Sequence, residues 1–282
     1  MAENTTLFSI KTDELVIGLL YLVIPIIEAF FYLPCMLVMR NDPELNQHSC
    51  IKLMYHLGLA DFYNMALQMV GGLITITGSY HLWPYWLLRL LGALMAGYGW
   101  STYLVLIHII ALNRCMIMCC PTHWQHTFFS FKATNIWLAV AWMCGSVWTV
   151  VCLTPWGGFT YIPSLYTWYF DSSRQWYNIL TKASWWQDML VLNGSIVWYI
   201  FIVLYMRFVL STQLLDVSEE RKEEKKILIQ ATLICLYTLV WDQYWYYGPP
   251  HLTDFQYAYA LGNLFWISNS AVNPLVYLTL NR

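Results

Sequence analysis

The hydrophobic positions of this 282-residue chain gather into seven long runs separated by shorter polar stretches. The runs cover Leu15 to Met39, Cys50 to Thr77, Trp86 to Cys120, Ala133 to Trp156, Trp186 to Leu210, Ile227 to Tyr247 and Phe255 to Leu280. As helices rising about 1.5 Å per residue, all are long enough to cross a hydrocarbon core of about 30 Å. The third run is roughly 50 Å long as a helix and must cross tilted. Within it Arg114, Ile110, Ile107, Tyr103, Trp100, Ala96 and Ala93 recur at threes and fours and so share one face. A guanidinium, large aromatics and small residues in that order predict a central helix that touches most of its neighbours. The expected fold is all-α: a polytopic membrane protein, one domain, a bundle of seven transmembrane helices.

Composition agrees with the pattern. The chain is 59% hydrophobic and 11% charged, against about 25% charged in an ordinary soluble domain. So few charges cannot cover so much apolar surface in water. The net charge of -2 gives no support for a nucleic-acid partner. The partner that composition demands is the lipid bilayer.

Orientation follows from the basic residues of the short loops. Arg40, Lys52, Arg114, Lys132, Arg207, Arg221, Lys222, Lys225, Lys226 and Arg282 share one side, and Lys11, Arg89, Arg174 and Lys182 the other. The richer side is expected to be cytoplasmic, which places the amino terminus outside. Asn4-Thr5-Thr6 is a glycosylation sequon, usable at Asn4 only in that orientation. The first fourteen residues lack a basic n-region, so the first span reads as retained rather than cleaved.

Several chemistries find no support. The chain has no phosphate-binding Gly-rich loop, no zinc-protease motif and no nucleophile elbow, so no enzyme is expected. The seventh span has no lysine for a Schiff-base pigment. No cofactor or metal is expected, and His123 and His126 read as exposed loop histidines. The eight cysteines lie in or at the ends of apolar runs, so no loop-stapling disulfide is predicted. Cys119 and Cys120 read either as inert thiols or as S-acylation sites.

Among the acids inside spans are Glu28, Asp61 and Asp242. A carboxylate at mid-bilayer is costly and should face protein or water. Asp242, in Trp241-Asp242-Gln243-Tyr244-Trp245, has two open readings. It neutralises a cationic ligand, with Trp241 or Trp245 offering π-faces, or these aromatics form an interfacial belt and Asp242 reaches water. The aromatic connection with Tyr166, Trp168, Tyr169, Trp176 and Trp185 is a candidate lid.

The seventh span ends Asn269-Ser270-Ala271-Val272-Asn273-Pro274-Leu275-Val276-Tyr277. Asn269, Asn273 and Tyr277 lie four residues apart and make one polar stripe, which must face protein. Pro274 frees a backbone carbonyl one turn earlier. Here the chain resembles the rhodopsin-like G-protein-coupled receptors, whose seventh helix ends Asn-Ser-x-x-Asn-Pro-x-x-Tyr. Leu57-Gly58-Leu59-Ala60-Asp61 is similar to their second-helix aspartate pattern, and Leu112-Asn113-Arg114-Cys115 to their Asp-Arg-Tyr box. Ala-Leu-Asn-Arg-Cys, with Tyr32-Leu33-Pro34-Cys35, most resembles the nematode serpentine chemoreceptors, class T.

The resemblance implies a chemosensory receptor in the plasma membrane, with a sensory cell as its setting. It would bind a small external molecule and signal through a heterotrimeric G protein on the cytoplasmic face. The ligand-facing candidates are Trp100, Tyr103, Asp188, Asn193, Asp242, Tyr259, Asn263 and Trp266. The switch and coupling candidates are Asp61, Asn113, Arg114, Tyr205, Asn269, Asn273, Pro274 and Tyr277. Asp61 reads as a structural carboxyl bonded to Asn269 or Asn273, with sodium binding as the alternative. The charged run Glu219 to Lys226 reads as part of a docking face or as a solvated helix end.

Departures from that superfamily are also specific. Asn113 replaces the acidic neighbour of Arg114, the sixth span holds no proline within Ile227 to Tyr247, and the outer end of the third span has no cysteine. The alternative function is a small-molecule transporter or ligand-gated channel subunit, which predicts an internal repeat; none is visible.

Overall fold

The computed structural model describes residues 11–43, 45, 48–78, 83–208, 219–252 and 254–280. Seven long helices run as α1 (Thr12–Asn41), α2 (Ser49–Thr77), α3 (Tyr85–Cys119), α5 (Phe131–Leu153), α6 (Tyr177–Phe208), α7 (Glu219–His251) and α8 (Ala258–Leu280). A short α4 (Thr122–Phe128) and a hairpin, β1 (Phe159–Ile162) with β2 (Thr167–Phe170), complete the described chain.

Each expected span falls on one long helix. Four of them, α1, α3, α5 and α6, are apolar and long enough to cross a bilayer by composition alone, with mean hydropathy between 1.7 and 2.3. The other three carry inward polar groups that lower the average: Asp61, Asn64 and Gln68 on α2, Gln230, Thr238 and Asp242 on α7, and Asn263, Asn269, Ser270 and Asn273 on α8, all buried. Large apolar side chains such as Phe30, Ile136, Leu190, Val197 and Val240 point outward. An exposed apolar wall around a polar-lined interior suits a lipid solvent.

The tilted third helix is central, as its periodicity implies. It lies against α2, α5, α6, α7 and β1. Ala93, Ala96, Trp100, Tyr103, Ile107, Ile110 and Arg114 are all buried. The sequence did not disclose that Met95–Ser101 winds as a π-helix. Where it does, α3 meets α5 backbone to backbone: a Cβ on Gly97 would strike the Gly145 carbonyl, and one on Gly145 would strike Thr102. Small residues at such a crossing let two membrane helices approach closely. Thr149 Oγ1 donates to the Ala93 carbonyl across the same seam at 3.2 Å.

Three boundaries differ from expectation. The fifth span begins at Tyr177 rather than Trp186, so Trp185 belongs to a helix and not to the connecting loop. The sixth extends beyond Tyr247 to His251. The polar stretch after α3 folds as α4, because Gln125 Nε2 donates to the carbonyls of Ile117 and Cys120 (3.1 and 3.2 Å) and so caps the open end of α3.

Candidate functional site

Under the hairpin, between α3, α6, α7 and α8 in the half of the bundle expected to face outward, lies a small, partly open cavity. Its lining includes Trp100, Tyr169, Phe170, Ser184, Asp188, Trp241, Asp242, Trp245, Tyr246 and Trp266. The π-helical turn carries Trp100 into this space; π-bulges are frequent at functional sites. Trp100 lies 4.8 Å from Trp241 and 5.8 Å from Trp266, ring centre to ring centre, and Trp241 stacks on Trp266 at 5.8 Å. Trp245 closes the group at 5.8 Å from Trp266.

Two acids sit in this aromatic shell. Asp188 accepts from Tyr246 Oη at 2.6 Å and from Trp100 Nε1 at 3.3 Å. Asp242 faces the same cavity from α7, across the α6–α7 seam. Two carboxyls in one buried apolar shell favour sharing a proton over carrying two charges. Asp242 is 1% exposed, which removes the reading in which it reaches water. Among the described residues its Oδ2 and the indole N–H of Trp241 have no hydrogen-bond partner, although both are buried, where polar atoms are usually paired.

The hairpin roofs the cavity. Phe159 pairs with Phe170 and Ile162 with Thr167, and the turn places Tyr166 in the left-handed region at φ 54°. Polar ties pin it from beneath. Tyr161 bonds Thr75, the Tyr166 carbonyl accepts from Tyr21 Oη at 2.7 Å, and Thr167 donates to Asn263 at 3.2 Å. Asn263 in turn exchanges bonds with Gln68 at 3.0 and 3.2 Å. Asn263 therefore anchors the roof rather than lining the cavity. Tyr259 stands beside it, its ring against Tyr169 and Trp245.

Hydrogen bonds from two arginines and one ion pair tie the helix ends beside the hairpin. Arg89 Nη2 reaches the carbonyls of Cys152, Thr154 and Gly157 at 2.6 to 3.1 Å, tying α3 to the end of α5. Asp171 accepts from Tyr85 and from Arg174 Nε (3.2 Å), and Arg174 also donates to Tyr85 at 2.8 Å. Partial burial works against charge on Asp171, but hydrogen bonds from Ser173, Tyr85 and Arg174 outweigh it and hold this carboxyl below its usual range. All eight cysteines are free thiols.

The inner half is built differently. Asp61 accepts three bonds: from Tyr32 Oη at 3.0 Å, Ser270 Oγ at 3.1 Å and Asn273 Nδ2 at 2.5 Å. Asn269 accepts from Thr238 at 2.9 Å, and Thr238 contacts Tyr103 Oη at 3.3 Å. Tyr103 thus lies beneath the cavity, stacked on Trp100 and linked to α7. Asn113 donates to Ser49 at 3.1 Å, and Arg114 is 2% exposed. Between the Asp61 network and Arg114, the side chains of Met54, Leu57, Ile107, Ile110, Ala231, Ile234 and Tyr199 meet in an apolar layer around a very small void.

Other candidates resolve simply. Asn193 does not join the cavity: it is exposed, bonded to the Met189 carbonyl, because the inward phase of α6 passes through Asp188, Leu192, Ser195 and Tyr199. Glu28 is buried, with neither carboxyl oxygen hydrogen-bonded among the described residues. His123 and His126 are exposed on α4, and no metal-binding cluster occurs among the described residues. Tyr205 is half-buried against Phe201. Pro274 lies inside α8. Asn4, the side chains of residues 219–225 and that of Tyr277 lie outside the described residues.

The family described as serpentine type 7TM GPCR chemoreceptor Srt matches residues 2–282, essentially the whole chain. The chain belongs to that family. Among solved structures it is similar to squid rhodopsin, at a TM-score of 0.73 and 17% identity, over 94% of this chain and 81% of that one. That likeness establishes the seven-helix fold. No curated protein sequence matches. The receptor is thus a multi-pass membrane protein of the serpentine class, and class-T wording such as Ala111-Leu112-Asn113-Arg114-Cys115 was a sound guide to it.

Sequence reasoning missed some of the receptor's site. Tyr246, Ser184 and Thr238 gave no signal by themselves, since each looks like an ordinary aromatic or small polar residue on a membrane helix. Gln68 was detectable: an amide seven residues after Asp61 falls on the same helical face and asks for a partner in protein.

Proposed function

We propose that this receptor is a chemosensory G-protein-coupled receptor of the plasma membrane, with its amino terminus outside. A small external molecule occupies the roofed outer cavity, and a heterotrimeric G protein engages the cytoplasmic ends around Arg114. The observation that carries this reading is a connected path that leads from the cavity into the other half of the bundle. Trp100 in the cavity stacks on Tyr103, Tyr103 contacts Thr238, and Thr238 bonds Asn269, four residues from the Asn273 that holds Asp61.

A ligand acts here by binding one arrangement of α3, α7 and α8 better than another, because only differential affinity shifts such an equilibrium. The switch is a movement of α7 relative to α3, which meet across the apolar surface of Ile107, Ile110 and Ile234. Arg114 is closed off in the present arrangement, so a partner reaches it only after such a movement.

The test uses receptor reconstituted in lipid nanodiscs with a purified G protein. Arg114→Ala is expected to abolish ligand-stimulated nucleotide exchange while leaving surface expression and ligand binding intact. Wild-type exchange by that variant would reject the coupling assignment.

A further inference from the structure

Resting on the reading of the outer cavity as the ligand site, the chemistry of its walls narrows the ligand class. We infer that the cavity takes a small organic monocation, a protonated amine carrying an oxygen acceptor nearby, and that its ammonium replaces the proton shared by Asp188 and Asp242. The incoming N–H groups bond the two carboxylates, the displaced proton leaves to the external solvent, and the net charge of the site is unchanged. The ligand oxygen accepts from the Trp241 indole N–H.

Three observations independent of one another support this. Among the described residues the cavity's charged side chains are Asp188 and Asp242, and no lysine, arginine or histidine lines it. Among the same residues Asp242 Oδ2 is a buried acceptor without a donor, and Trp241 Nε1 a buried donor without an acceptor. They sit on adjacent residues of α7 with 1% and 4% exposure, so a ligand that satisfies both needs a donor and an acceptor close together. Finally, the indoles of Trp100, Trp241 and Trp266 pack within 6 Å of one another around the acids, the environment in which a desolvated cation gains most from aromatic faces. A neutral ligand leaves the acids unchanged, and an anion meets the carboxylate charge directly.

The proton exchange also has a sign. The other titratable groups facing the pair are Tyr246 from α7 and Tyr169 from β2; α6 adds Ser184, and α3 and α8 present Trp100 and Trp266. None of these supplies a competing positive charge. Protons and ligand therefore compete for the same two carboxylates. Affinity is expected to rise by about tenfold per pH unit wherever the pair still holds its proton.

The experiment measures binding to purified wild-type receptor in nanodiscs, by thermal shift and calorimetry, between pH 5 and pH 8. The probes are matched amine, alcohol and carboxylate triplets on common skeletons, 2-phenoxyethylamine, 2-phenoxyethanol and phenoxyacetate among them. Amines are expected to bind, more tightly as pH rises, and at least about tenfold better than their neutral and anionic counterparts. Asp242→Asn is expected to weaken amine binding by about tenfold and to remove the pH slope. Trp241→Phe leaves both acids in place and guards against a misfolded acid variant. It is expected to erase an approximately tenfold preference for 2-phenoxyethylamine over its all-carbon isostere 3-phenylpropylamine.

Binding of the alcohols or carboxylates as tight as that of the amines, or no amine binding at all, overturns the proposal. So does amine affinity independent of pH. Nucleotide exchange run on the same samples separates this from the receptor reading. Amine binding without exchange leaves the ligand class standing and sinks the coupling, whereas exchange driven only by neutral or anionic probes does the reverse.

Discussion

Asp61 and Asp242 are the same residue at the same 1% exposure, one in each half of the bundle. Asp61 accepts from three donors and has both oxygens engaged. Asp242 faces another acid across one cavity and has an oxygen with no hydrogen-bond partner among the described residues. Burial alone therefore says little about role; the state of the hydrogen bonds says more. A satisfied buried acid holds helices together, and an unsatisfied one awaits a partner. The inner half stores its polar groups as structure, tying α1, α2 and α8 through one carboxyl. The outer half holds its polar groups in reserve under a roof.

The sharpest way to break this contrast is at Asp61. Asp61→Asn turns one acceptor oxygen into a donor that faces Tyr32, Ser270 or Asn273. With at least one buried donor left without an acceptor, a loss of about 3 kcal/mol is expected, read as a lower thermal midpoint in nanodiscs. An unchanged midpoint would mean that the three bonds do not hold the helices.

A smaller loss is expected at the α3–α5 seam on which the outer half depends. Gly145→Leu places a side chain where Thr102 and the Gly97 backbone already stand. About 1–3 kcal/mol of strain follows, and with it displacement of the π-helical turn and of Trp100. Amine binding is expected to fall while the Asp61 network, farther inward, stays intact by hydrogen exchange.

How much of this was legible in the sequence differs between the halves in the same way. The spans and the face from Ala93 to Arg114 were legible because helical period is a local property. The Asn269, Asn273 and Asp61 association was legible because polar spacing on two helices demands protein partners, although Asn273 rather than Asn269 turned out to hold Asp61. The outer half resisted. Phe159-Thr160-Tyr161-Ile162 and Thr167-Trp168-Tyr169-Phe170 are runs of aromatic and β-branched residues that suit a hairpin, but in a membrane chain they also read as an interfacial belt. The π-helical turn has no sequence signature. Asp188 and Asp242 were each picked out, yet their pairing depends on the relative depth of α6 and α7, which no single helix encodes. Asn193 failed because it was chosen for polarity without its helical phase.

The smallest effect concerns the ion pair of Asp171 with Arg174. Asp171 has a depressed carboxyl pKa, so its stabilising contribution is present above the ordinary unfolded value and is lost as pH falls through its lower folded one. The hairpin is expected to keep its hydrogen-exchange protection down to about pH 4, near the reference aspartate value, and to lose some of it below. The Asp61 region should show no change over that step; if it loosens together with the hairpin, the two halves are not separate units.

The most direct measurement compares thermal midpoints of Asp61→Asn and Asp242→Asn receptors in nanodiscs, each with and without 2-phenoxyethylamine. Asp61→Asn is predicted to lower the midpoint of the empty receptor and to keep the amine-induced rise. Asp242→Asn is predicted to leave the empty midpoint nearly unchanged and to lose most of that rise. The opposite assignment, with Asp242 needed for stability and Asp61 for the amine, would contradict the division of the bundle into a bonded inner half and a receptive outer one.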